Sequence, residues 1–154
     1  MKKVNFRHIE FLVDYEYNKS NYEIINPVGA SSCSCSGCQN YLAQSQDIFP
    51  EELLSFFEEV VIDYLKDFET TFSHKSDKGK YEYFSTFYFD GVVLNSFAQN
   101  VQKISNMTNI SLNNNFRIHF EHETQNRDWR SDNLMYVLVS CSLPWVIDPT
   151  LDDY

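Results

Sequence analysis

Between Pro50 and Phe68 the residues Leu53, Leu54, Phe57, Val60, Val61, Tyr64, Leu65 and Phe68 recur at helical spacing, and Glu58, Glu59, Asp63 and Lys66 suit an outer face. Pro50 suits the first helical position, where its missing N–H costs nothing. Glu51 and Glu52 suit the first turn, beside the positive end of the helix dipole. A stripe this wide needs a broad apolar surface to lie on. The other patterned segments supply one, because they read mainly as strands.

From His8 to Tyr17, the set Ile9, Phe11, Val13, Tyr15 and Tyr17 alternates with His8, Glu10, Leu12, Asp14 and Glu16, which predicts a strand with one apolar face. Asn18-Lys19-Ser20-Asn21 reads as a polar turn, and Tyr22 to Asn26 as the returning strand, stopped by Pro27 and Gly29. Tyr81 to Phe89 reads as a strand aromatic on both faces. Asp90-Gly91 is a hairpin signal, with Val92-Val93-Leu94 returning. Phe116, Ile118 and Phe120 alternate with Arg117, His119 and Glu121 in a further strand. Leu134 to Leu143 is the most apolar strand and belongs at the centre, ending at Pro144-Trp145. Segregated strands beside one main helix predict an α+β fold: a mostly antiparallel sheet packed against that helix, with a cysteine loop before the helical segment.

The 154 residues suit one domain, 1–154, and 13 Phe with 10 Tyr suffice to fill its core. Phe97, Val101 and Ile104 predict a short helix within 95–110. Residues 74–80 and Asn113-Asn114-Asn115 read as loops. Trp129, flanked by Arg127, Asp128 and Arg130, sits in a polar stretch that reads as an exposed excursion; the ring fits an interface anchor or, the commoner arrangement, a Trp folded back onto its own core. The acidic segment 148–154 is expected to fray.

Chemistry concentrates in Cys33-Ser34-Cys35-Ser36-Gly37-Cys38, three thiols within six residues of small side chains. A tight turn there can point three thiolates at one soft ion, and Gly37 would free the backbone to make it. A short helix is expected from Cys38 to Gln46, and its free N–H groups would favour thiolate at that end. Zinc takes four tetrahedral ligands, so a fourth must come from Cys141, a histidine, a carboxylate or water. Cys141 is the candidate by element, but it shares strand phase with Val137, Val139 and Leu143, and that phase says core. An iron–sulfur cluster, a redox disulfide and simple reduced thiols remain alternatives for the same residues. His8, His74, His119 and His122 form no local ligand pair. His74 reads as solvated. His119 and His122 differ by an odd step along a strand, and His122 falls on the half-buried apolar side.

No glycine-rich phosphate loop, nucleophile elbow or H-E-x-x-H motif occurs in the sequence. A net charge of −10 disfavours direct binding to a phosphate backbone. It suits solubility, or a basic protein partner. The polar N-terminal stretch is not a signal-peptide pattern, and no apolar run approaches a membrane span, so a cytoplasmic setting without membrane contact is expected.

Cys33-x-Cys35-x2-Cys38-x-Asn40, then Phe49-Pro50 opening an apolar helix, then an aromatic strand, then Leu143-Pro144-Trp145-Val146-Ile147, resembles a group of small acidic uncharacterised proteins of bacteria and their mobile elements. The resemblance spans about residues 8–147. It implies that the cysteine loop and the Pro-Trp strand belong to one recurring domain, and it implies no activity. These features together point to a non-enzymatic binding protein, of inhibitor or immunity type, with a zinc-stapled loop at Cys33, Cys35 and Cys38. The alternatives are a thiol- or metal-dependent enzyme using the same cysteines, and a structural or scaffold subunit docking through Trp129.

Overall fold

The computed structural model describes every residue except 74, 77, 96–109, 124–128, 130 and 152–154. Its strands are β1 (Lys2–Phe6), β2 (Ile9–Val13), β3 (Glu69–Phe72), β4 (Lys80–Asn95), β5 (Ile110–Ser111), β6 (Phe116–Glu123) and β7 (Leu134–Pro144). Its α-helices are α1 (Tyr15–Ile24), α2 (Ser36–Ile48) and α3 (Glu51–Val60). The strands form one sheet in the order β1-β2-β4-β7-β6-β5, and β3 also pairs with β4. Every pairing is antiparallel, as the α+β reading predicts. The short helix expected within 95–110 lies outside the described residues, as do His74 and most of the stretch around Trp129.

The predicted first strand is cut short by a cap. Val13 is its last residue, because the Asp14 carboxylate accepts the N–H of Tyr17 at 3.2 Å and starts α1. The expected turn at Asn18–Asn21 and the first half of the expected return strand, Tyr22 to Ile24, are therefore helix. The partner of β2 is instead β1, joined to it through Arg7 and His8, with Arg7 at φ 54°. Val4 and Phe6 of β1 are buried.

Asp90-Gly91 is not a hairpin turn. β4 runs through it for 16 residues, paired with β7 from Lys80 to Asp90 on one edge. Its other edge is shared: β3 covers Tyr83–Thr86 and β2 covers Gly91–Asn95, with a register shift between Glu10 and Phe11. Helix α1 plugs the gap between them. The Tyr22 hydroxyl donates to the Tyr88 carbonyl at 2.9 Å, and Asn18 Oδ1 accepts the Asp90 N–H at 2.6 Å. Backbone groups that a missing strand would have paired are thus satisfied by side chains.

The main helix is shorter than its pattern. Val61 takes a left-handed conformation (φ 63°, ψ 41°), its N–H meets the Glu58 carbonyl, and the Ile62 N–H meets the Phe57 carbonyl at 2.8 Å. This pair of bonds closes α3 as a Schellman motif. Tyr64, Leu65 and Phe68 therefore follow the helix rather than extend it, and Pro50 stands just outside it, at the N-cap.

Helices α2 and α3 cover one face of the sheet. Phe57 packs on Phe87 (centroids 5.0 Å), Phe56 on Phe89 (5.9 Å) and Tyr41 on Tyr83 (5.5 Å). Phe6, Phe11 and Phe120 complete the cluster around Phe56. Full burial of each such ring stabilises the fold by about 1.5–3 kcal/mol. Glu58 and Glu59 are exposed on the outside of α3, as its pattern predicts. Of the two arrangements open to Trp129, the structure shows the fold-back onto the core and not the exposed anchor. Trp129 is 1% accessible, packed edge-on against Tyr22 at 5.2 Å and beside Phe68.

Candidate metal centre

The cysteine segment is shaped by two neighbours in the chain. A short 3-10 turn at Ala30–Ser32 comes before it, and the Cys33 N–H donates to the Ala30 carbonyl at 3.1 Å. Helix α2 follows, starting two residues earlier than the composition predicts and running 13 residues. Cys35 is its N-cap, and its sulfur accepts the N–H of Cys38 at 3.4 Å. Cys33 Sγ lies 3.5 Å from the Cys35 N–H nitrogen and 3.2 Å from Cys35 Sγ. Gln39 closes the loop by donating its side-chain amide to the Cys33 carbonyl at 2.8 Å.

The three sulfurs of Cys33, Cys35 and Cys38 all lie within 4.8 Å of one another. Two thiolates bound to zinc at 2.3 Å and tetrahedral angles stand about 3.8 Å apart. The cluster therefore has the dimensions of a metal site and could hold one ion. Cys38 is buried, and Cys33 and Cys35 are half-buried, so the open side faces solvent past these two.

The electrostatics differ across the cluster. The Cys35 backbone N–H, with help from the Cys35 and Cys38 side chains, holds the Cys33 thiol below its ordinary value. Burial pushes the Cys38 thiol up, and its sulfur neighbours add to the rise. Cys38 would thus be costlier to ionise than Cys33, and a cation beside it would offset that cost.

Gly37 has a different role from the expected flexible turn. It sits in the first turn of α2, and a Cβ there would meet the Phe72 ring at 2.0 Å. The glycine lets the cysteine end of α2 lie directly on β3. Asp67 was not legible as part of this neighbourhood. Its carboxylate is buried, accepts the Ala30 N–H at 2.8 Å and the Thr70 hydroxyl at 2.6 Å, and its carbonyl accepts the Gly29 N–H. This buried acid holds the turn that carries Cys33. A single acid between Leu65 and Phe68 gives no periodic signal for such a role.

Cys141 lies elsewhere. It faces the helix-covered core from β7, opposite Tyr83 and Phe116, and is 1% exposed. Burial, with Glu82 adding, pushes its thiol up to about 12. No fourth cysteine, histidine or carboxylate joins the group among the described residues. His119 approaches Glu121 at 3.4 Å, and His122 is exposed rather than half-buried, its ring nitrogen 3.2 Å from the Asp132 carbonyl.

The two ends of the sequence motif meet. Asn40 donates to the Pro144 carbonyl at 3.0 Å and to the Tyr83 hydroxyl at 2.9 Å, and accepts the Val146 N–H at 2.7 Å. Trp145 packs on Tyr81 at 5.4 Å. The cysteine helix and the Pro-Trp strand are therefore one packed unit. No helix among the described residues is long and apolar enough to cross a membrane. No family model, no curated protein and no solved structure matches the chain.

Proposed function

We propose that this chain is a non-enzymatic binding domain whose cysteine loop is stapled by one zinc ion on Cys33, Cys35 and Cys38, and that it presents acid to a basic protein partner. The observation that carries the staple is the set of three sulfurs within 4.8 Å of one another at the N-terminus of α2. Zinc brings no redox chemistry, so its contribution here would be to fix the turn around Ala30 to α2. The net charge of −10 and the exposed Glu51 and Glu58 on α3 support the partner reading.

Metal content of the purified protein tests the staple, with Cys35→Ser as control. One zinc per chain, lost in the variant, is the expected result. Metal-free protein from zinc-replete cells would overturn it. A pull-down across a salt series tests the partner: a basic protein should be retained at moderate salt and released as salt rises, and no retained protein sinks that reading.

The half-exposed sulfurs of Cys33 and Cys35 favour one second reading, a thiol- or metal-dependent enzyme on the same residues. Alkylation of the chelator-treated protein separates the two. One hyper-reactive thiol supports chemistry. Thiols that are protected together until chelation, then equally reactive, support the staple.

A further inference from the structure

The cations of this acidic chain are unevenly matched. Lys2 pairs with Glu59, Lys3 with Glu10, Arg7 with Glu52 and Lys66 with Asp63. Lys78 and Lys80 make no ion pair with a described residue; Lys80 only donates to the Asn115 side chain at 3.0 Å. Both line a cleft of about 600 Å³, and Arg117 lines it too, with Glu82 as the cleft's single described carboxylate, 3.7 Å from Arg117.

The cleft is built by two tight turns at one end of the sheet. In the first, the Ser76 N–H donates to the Lys80 carbonyl at 2.7 Å, and Gly79 takes φ 72°. In the second, the Asn115 N–H donates to the Asn113 side chain at 2.8 Å. Strand β7 lies between them, with Ser142 in the lining and its N–H on the Asn115 carbonyl at 2.9 Å. Lys80, Glu82, Ser142 and Arg117 share the sheet face opposite the buried set of Tyr81, Tyr83, Cys141 and Phe116, as the register and burial alternation require.

We propose that this cleft binds a small sugar phosphate. Among the described lining residues three cations face one carboxylate, in a chain of net charge −10. Cations gathered on one cleft raise the local potential for a compact anion, and Arg117 and the lysines would take a phosphoryl group. Serine hydroxyls and asparagine amides supply the mixed donors and acceptors that sugar hydroxyls need. Phe116, the one aromatic among the described lining residues, is only 4% exposed and offers no stacking platform for a base. The volume suits a small molecule, and the overall negative charge opposes a phosphate polymer.

Glucose 6-phosphate, glucose and inorganic phosphate, each titrated into the full chain at low ionic strength and followed by amide NMR, test this assignment. Glucose 6-phosphate should give saturable shifts confined to residues 78–82, 111–117 and 142. Lys80→Ala and Arg117→Gln should each weaken binding by about tenfold or more, the loss expected for one charge-assisted contact, while Lys19→Ala leaves it unchanged. Linear shifts, an equal effect from Lys19→Ala, or glucose binding as tightly as its phosphate would overturn the site. Inorganic phosphate binding as tightly as the ester would overturn the sugar part of the assignment.

Discussion

Two buried asparagines do the same work at opposite ends of this sheet, with unequal backing. Asn18 of α1 accepts the Asp90 N–H at 2.6 Å and donates to the carbonyls of Val60 at 3.0 Å and Asp90 at 3.3 Å. Val60 ends α3, so its carbonyl lacks a partner within the helix. Asn40 of α2 accepts the Val146 N–H and donates to Pro144 and Tyr83. Each asparagine ties a helix to backbone that regular pairing leaves unmatched. Around Asn40, however, Gln44 also donates to the Pro144 carbonyl at 3.0 Å, and Val146 is 52% exposed, within reach of water. Around Asn18 the Asp90 N–H has no such substitute.

Truncating both residues breaks the comparison most directly. Asn18→Ala orphans a buried N–H and a helix-terminal carbonyl, and should destabilise the fold by about 3 kcal/mol. Asn40→Ala leaves the Pro144 and Val146 groups within reach of Gln44 and water and unpairs only the buried Tyr83 hydroxyl, and should cost about 1.5–2 kcal/mol. Urea unfolding of both variants measures the gap. Equal losses would mean that the backing at Pro144 contributes nothing.

The Asn40 joint depends on where α2 sits, and Gly37 sets that. Gly37→Ala forces the Phe72 ring or the helix start to move, and overpacking of this kind costs about 2 kcal/mol. Adding Phe72→Leu makes room and should recover part of the loss, although Phe72 also stacks on Tyr83 at 5.6 Å. If Gly37→Ala proves neutral in chemical unfolding, the close approach is not what seats α2.

The same contrast explains what could be read without a structure. The central part of α3, β6, β7 and the cysteine cluster carry their patterns within a few adjacent residues, and these were legible. Helix α1 was not. It buries only Asn18 and Tyr22, and its alternating Tyr15 and Tyr17 imitate a strand. The deciding contact, Asn18 to Asp90, spans 72 residues. That contact also helps Asp90-Gly91 run straight, although the dipeptide favours turns. Asp67 escaped for a like reason, since its bond to Ala30 spans 37 residues. At the cysteine site the spacing revealed the three sulfurs that cluster, while their support comes from β3 and the segment just before it.

The charge state of Asp90 offers the finest test of the Asn18 joint. Burial raises the Asp90 carboxyl above its ordinary value, Ser131 partly offsets this by donating to it, and Asp14 adds like-charge repulsion. Asp14 is held in place as the cap of α1 and cannot swing away without losing the Tyr17 N–H. A carboxyl raised in the folded state binds its proton more tightly there than in the unfolded chain. Its charged form therefore costs stability once pH rises above the unfolded value of about 3.9, with the full cost present above the folded value. Asp90→Asn keeps the shape and an acceptor for Ser131 but removes the charge. It should raise the thermal midpoint at pH 7 modestly, and the gain should fade as pH drops through the carboxylate range. A gain that persists at pH 3 would place the strain at Asp90 in packing rather than in charge.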